Sequence, residues 1–179
     1  MIRNPLYMYP SFKNTITVDP DFNQVPFESK FTANANIIDD YPFFPVKYYY
    51  HFMYRLWKAV GSLQDCNPIV IDADELSRRP DILLRKYLKA VGFPWKEQLL
   101  TWDTGKEITR GWKTSLQRMD STLKTWEVWY QRALESSTFM PNTKPLPSIE
   151  SLTPDLQACV STAMPYYEAM FERRIKVHA

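Results

Sequence analysis

The chain has 179 residues, of which 45% are hydrophobic and 23% charged, and its 22 basic and 20 acidic residues give a net charge of +2. This composition is typical of one globular domain, and the near-balance of charge predicts neither a nucleic-acid nor an anionic-membrane partner. The four glycines lie far apart in the sequence. Because a loop that wraps a phosphate needs several glycines close together, the sequence contains no Walker-type loop and no dinucleotide-binding motif.

The two cysteines, Cys66 and Cys159, are too few for a disulfide framework, and we expect both to be reduced. The first residues show no secretory signal pattern. The longest apolar stretch, residues 48–57, is interrupted by His51 and Arg55, so no membrane span is predicted. These features predict a soluble cytoplasmic protein.

The first predicted elements are a strand end at residues 1–2 and a short helix from Pro5 to about Phe12. Residues 14–40 show no clear period and are predicted to be irregular. Residues 41–62 are predicted to form a helix, because apolar side chains recur at i, i+3 and i+4, and Gly61 lies where such a helix would end.

The next elements are a strand and a helix. Residues 69–71 are β-branched and bounded by turn-forming residues, which predicts a short buried strand. Pro80 opens a helix whose apolar residues share one face, and Gly92 is placed for a left-handed stop.

The last third begins with a polar loop at residues 101–113 and a long helix at 114–136. A proline-rich tether, residues 140–152, leads to the final helix at about 153–174, for which Thr153 is predicted to supply a capping hydroxyl. We find no internal repeat and predict a single domain over residues 1–179.

Three of these segments carry a resemblance, and the third of them is the 101–113 loop. An arginine ends the first predicted strand and a serine follows eight residues later, at Arg3 and Ser11. Residues 69–76 combine a strand with an acidic stretch, and residues 76–94 continue with an L-x-x-x-P pattern, a helix and a Gly-Phe-Pro turn. Together they resemble the sulfotransferase family, most closely a broad microbial and fungal group of sulfotransferase-like proteins active in secondary metabolism.

The resemblance implies roles for four residues. In the family the arginine and serine hold the 3′-phosphate of 3′-phosphoadenosine 5′-phosphosulfate, so Arg3 and Ser11 are candidate cofactor-binding residues. A guanidinium suits this task as a permanently charged bidentate donor. The 101–113 loop resembles the family's C-terminal loop, whose basic residues close over the same phosphate, and Lys106 and Arg110 are the matching positions.

The resemblance also implies a fold and an activity. The fold class is α/β and α-rich: a partial P-loop nucleotide-binding fold that lacks its N-terminal P-loop half and keeps a short parallel sheet remnant. The implied activity is sulfuryl transfer to a small-molecule hydroxyl by in-line attack, if the chain is completed by that missing half. The family's phosphate loop and catalytic base precede the arginine segment, so no catalytic residue is assigned here.

An aromatic concentration in the 41–62 helix exceeds what one buried face can hide. Part of it is expected to be core, and the rest is predicted to line a substrate pocket or a subunit interface. In the same helix His51 is interpreted as partly buried and satisfied by a neighbour, with a general base as the alternative. The predicted pocket residues are Tyr49, Tyr50, His51, Tyr54 and Trp57.

The acids Asp72, Asp74 and Glu75 are interpreted as solvated side chains at a strand-to-helix turn, because neighbours in sequence seldom converge on one ion. No metal site is predicted. A short sheet would leave apolar faces to cover, which predicts a homo-oligomer or a partner chain.

Three functions remain open from the sequence. The chain is a sulfotransferase-like protein, a short form repurposed as a cyclase or isomerase of small metabolites with an aromatic pocket, or a non-catalytic interaction module.

Overall fold

The computed structural model describes residues 1–18, 35–40, 45–105 and 130–177, and this part of the chain is rich in helix. Residues 130–135 are helical, and short 3₁₀ turns occupy Val46–Tyr48, Glu97–Leu100 and Ile149–Ser151. The α-helices whose two ends both lie in the described ranges are α1 (Pro5–Val18), α2 (Tyr49–Gly61), α3 (Ala73–Arg78), α4 (Pro80–Ala90) and α5 (Pro154–Glu172).

Parallel β-bridges join three segments that are far apart in sequence. Ile2 pairs with Asp72, and Val70 pairs with Arg174. The described residues contain isolated bridges but no regular strand, so the strand predicted at residues 69–71 is wrong as a regular element. The physical reason is length, because α1 begins at Pro5 and α3 at Ala73, which leaves no room for a longer ladder.

Helix α1 runs to Val18 and does not end near Phe12 as predicted. Tertiary contacts explain the extension, because Lys13 and Ile16 in its second half are buried. Helix α2 begins at Tyr49 and ends at Gly61, as the glycine indicated, while residues 41–44 of the predicted helix lie outside the described residues. Gly92 has φ +75°, which confirms the left-handed stop after α4.

The start of α5 differs from the prediction. The Thr153 hydroxyl caps no helix amide and instead donates to Oδ1 of Asp155. The other Asp155 oxygen, Oδ2, accepts from Lys13 Nζ at 2.9 Å and from the Ile37 amide at 3.1 Å. The Thr153 hydroxyl therefore hydrogen-bonds to the buried Lys13–Asp155 ion pair, which joins α1 to α5.

Helix α5 is the centre of the packing and contacts α1, α2 and the Val46–Tyr48 turn. No helix in the described ranges is long and apolar enough to cross a membrane. The buried core includes Ile2, Tyr9, Ile16, Val46, Tyr50, Val70, Leu156, Cys159, Val160, Ala163, Tyr167 and Met170.

Candidate functional site

The parallel bridges bring the carboxyl ends of two segments to one place. The Ile2 amide donates to the Ile71 carbonyl at 2.8 Å, and the Ala73 amide donates to the Ile2 carbonyl at 2.8 Å. Arg3 follows Ile2 and Asp74 follows Asp72, so both lie at the carboxyl end of the Ile2–Asp72 bridge. In parallel α/β proteins this end of the strands is where ligands bind.

Arg3 is held by its backbone, and its charged head is partly open to solvent. The Tyr50 hydroxyl donates to the Arg3 carbonyl, and burial raises the pKa of that phenol, so it remains a proton donor. The side chain is 33% exposed, with Nε 3.9 Å from Oδ1 of Asp74 and Cζ 5.8 Å from the ring centroid of Tyr7. The guanidinium is thus positioned at the surface, and its ion pair within the described ranges is the loose one with Asp74.

The interpretation of Asp72 as a solvated acid is wrong. Asp72 is 2% exposed and caps α3, where its Oδ1 accepts from the amides of Asp74 (3.1 Å) and Glu75 (2.9 Å). Its Oδ2 accepts from the Tyr167 hydroxyl at 3.3 Å. Burial raises the pKa of Asp72, and the amide and phenol hydrogen bonds offset only part of that effect.

Glu75 is also paired, because its Oε1 lies 2.5 Å from Nη2 of Arg174. The Arg174 guanidinium lies 3.5 Å from the ring centroid of Phe171, which fixes it at the end of α5. Arg3 and Arg174 therefore face Asp74 and Glu75 in a cluster whose formal charges cancel. Within the described residues, no group of three or more acids, histidines and cysteines could hold a metal ion.

Tyr7 links the Arg3 segment to the proline-rich tether. Its hydroxyl donates to the Lys144 carbonyl at 2.7 Å, so Lys144 approaches the face of α1 beside Arg3. Tyr7 is four residues before Ser11 in α1, a spacing that would have indicated a shared helix face, whereas Arg3 precedes the helix. Lys144 gave no such signal, because 137 residues separate it from Tyr7.

The other predicted cofactor-binding residues are placed only in part. Ser11 is exposed on α1, one helical turn beyond Tyr7. Lys106 and Arg110 lie outside the described residues. The residue before them is anchored, because the Gly105 amide donates to the Leu134 carbonyl at 2.7 Å.

The predicted pocket residues lie in different surroundings. Tyr50 is 1% exposed and packs against Tyr9 and Tyr167 in the core. His51 and Tyr54 contact the ring of Tyr166, with centroid distances of 5.1 and 5.5 Å.

The two remaining pocket residues line separate cavities. Tyr49 borders a small apolar cavity of about 220 Å³ beside α1. Trp57 borders two other cavities near the end of α2.

A family model described as a sulfotransferase domain matches residues 56–174. The match covers well over half of the chain, and this chain belongs to the sulfotransferase family. The matched range contains the 69–94 and 101–113 segments and Arg174, whereas Arg3 and Ser11 precede it. No curated protein and no solved structure compared with the chain gives a match.

Proposed function

We propose that this chain is a sulfotransferase-like protein that holds the 3′-phosphate of 3′-phosphoadenosine 5′-phosphosulfate with Arg3 and Ser11. The observation that carries the proposal is the position of Arg3, directly after a parallel bridge and at its carboxyl end. The phosphosulfate is the sulfuryl donor, and a hydroxyl of a small molecule is the proposed acceptor. Membership of the family supports the class of reaction.

The residues present fit a phosphate group. The Tyr50 hydroxyl holds the Arg3 carbonyl, so the Arg3 guanidinium extends from a fixed backbone. Its loose contact with Asp74 is through Nε, so within the part of the chain that the structure describes the terminal guanidinium nitrogens face no acid and suit bidentate contact with an oxyanion. Arg174 pairs with Glu75 and removes that acid as a repulsive charge.

We include Lys144 in the proposed site, because Tyr7 brings its backbone to the face of α1 beside Arg3. With the buried Asp72 counted, the cluster of Arg3, Asp72, Asp74, Glu75 and Arg174 carries one formal negative charge. We propose that the exposed side chain of Lys144 offsets this charge. Positive charge at short range is what a phosphate dianion requires.

The proposed fold is a partial P-loop nucleotide-binding fold. The parallel bridges support it, because they place the chain start, residues 70–72 and residue 174 side by side in one direction. The four scattered glycines do not provide a phosphate loop. The proposal therefore assigns the grip on the 5′-phosphosulfate to a segment outside these 179 residues or to another chain.

A second copy or a partner chain remains part of the proposal. Large apolar side chains are exposed on the described surface, among them Phe52 (48%), Leu63 (60%) and Phe93 (65%). Size-exclusion chromatography over a range of protein concentrations tests it, and a monomer at every concentration would count against it.

Calorimetric titration of the chain with adenosine 3′,5′-bisphosphate tests the phosphate site. We expect binding by the wild-type chain and a loss of about tenfold or more in R3A, because a hydrogen bond to a charged group contributes about 1.5–3 kcal/mol. K144A should weaken binding less than R3A and in a salt-dependent way. R55A, an exposed arginine change on α2, is the matched control and should bind as wild type.

Two results would contradict the proposal. Absence of binding in the wild-type chain would remove the nucleotide site and favour a repurposed enzyme or an interaction module. Equal affinity in R3A and R55A would show that Arg3 does not contact the phosphate.

A further inference from the structure

An apolar groove and a cationic cavity meet at Trp57 and Pro68, which line both. The groove encloses about 240 Å³, and its walls include Met53, Leu56 and Met170. The cavity encloses about 500 Å³. Together they fall in the size range of small-molecule sites.

The cavity carries positive charge. Lys58 and Arg173 line it, and no carboxylate is among its described lining residues. Both cations also lie at helix ends, Lys58 in the last turn of α2 and Arg173 at the cap of α5. Each helix end is equivalent to only about half a negative charge, so two full positive charges leave the cavity net positive.

This region is separate from the proposed nucleotide site. The cavity is lined by the residues that precede the 69–71 segment, Cys66, Asn67 and Pro68. Arg3 and Asp74 instead lie beyond the carboxyl end of the Ile2–Asp72 bridge. The cavity therefore lies at the amino end of the parallel segments. A ligand here would not compete with a nucleotide for Arg3.

We propose that the groove and cavity together bind a small amphipathic anion. Its apolar tail would pack against Met53, Leu56 and Met170, and its carboxylate, sulfate or phosphate head would lie between Lys58 and Arg173. The indole of Trp57 stands at the boundary, with its Nε1 donating to the Pro68 carbonyl at 3.3 Å. This contact fixes the indole as a wall shared by the two halves of the site.

Cys66 provides a readout inside the cavity. It is exposed and lines the site, whereas the other cysteine, Cys159, is fully buried and burial raises its pKa to about 12. In the folded chain a neutral alkylating reagent such as iodoacetamide should therefore modify Cys66 alone.

The experiment follows the alkylation rate of Cys66 by mass spectrometry as decanoate is added below its micelle concentration. We expect saturable protection by decanoate and much weaker protection by 1-decanol, which has the same tail without the charge. The K58Q/R173Q double variant should raise the apparent Kd about tenfold or more, because it removes two charge-assisted contacts. The K89Q/K96Q double variant changes net charge equally at exposed positions elsewhere and should behave as wild type.

Four results would overturn the proposal, and the first three concern decanoate directly. These are no protection by decanoate, equal protection by decanol, and an unchanged Kd in K58Q/R173Q that retains wild-type circular dichroism. Protection that instead rises with protein concentration without decanoate would assign the groove to a second copy of the chain and also refute it.

Discussion

Removing the carboxylate of Asp155 tests how α1 is held against α5. Lys13 and Asp155 are buried, with side-chain exposures of 11% and 6%, and their Nζ–Oδ2 distance is 2.9 Å. In D155A the Lys13 ammonium would remain buried without its partner, and the Ile37 amide and Thr153 hydroxyl would each lose an acceptor. The loss affects three groups at once.

The expected cost is about 3–5 kcal/mol of unfolding free energy, the range for breaking a buried ion pair by deleting one partner. That is a large fraction of the roughly 5–15 kcal/mol that stabilises a domain. The double variant K13M/D155N removes both charges and keeps a side-chain acceptor at position 155, so its unfolding free energy should be much closer to wild type.

Urea unfolding followed by far-UV circular dichroism measures these differences. The pH dependence adds a second test. Burial raises the pKa of Asp155, but hydrogen bonds from Thr153, Ile37 and Lys13 outweigh burial and leave the pKa below its ordinary 3.8. The stabilisation is therefore complete above pH 3.8 and is lost as the pH falls through the lower, folded-state value.

The gap between wild type and D155A should accordingly be constant near neutral pH and shrink below about pH 4. A cost under about 1 kcal/mol for D155A, or a double variant as unstable as the single one, would refute this account of the pair.

Two further predictions concern helix ends. In urea unfolding at pH 7, D72A should lose about 1–2 kcal/mol of unfolding free energy, because it removes the cap of α3. D72N should be as stable as wild type or more stable, because it keeps an acceptor and removes the charge of a buried carboxyl whose pKa is raised. A D72N chain as unstable as D72A would contradict this. Gly92→Ala should lower the free energy of unfolding, measured in urea, by about 1 kcal/mol. The cause is the backbone, because φ at Gly92 is +75° while an added Cβ would meet no atom within 4 Å. Gly61→Ala is the matched control and should be neutral or stabilising, since a Cβ there makes only ordinary contact with Pro68 at 3.5 Å; equal losses in both would refute the backbone explanation.

The sequence predicted part of the candidate site. Arg3 could be singled out because its distance from Ser11 matched a family pattern, and the family itself is confirmed over residues 56–174. Asp72 was misjudged, since nothing in its neighbours shows that Tyr167 will lie over it. Tyr7 could have been found from its helical spacing to Ser11, but its partner Lys144 could not.

The sequence by itself determined the features that depend on local backbone chemistry: the left-handed stop at Gly92 and the absence of a glycine-rich phosphate loop. Only the tertiary structure decided which charges are buried in pairs, how far α1 extends and where the groove meets the cationic cavity. Those features join residues about a hundred or more positions apart, such as Lys13 with Asp155 and Glu75 with Arg174. Their energies depend on burial and partner geometry, which a local pattern does not contain.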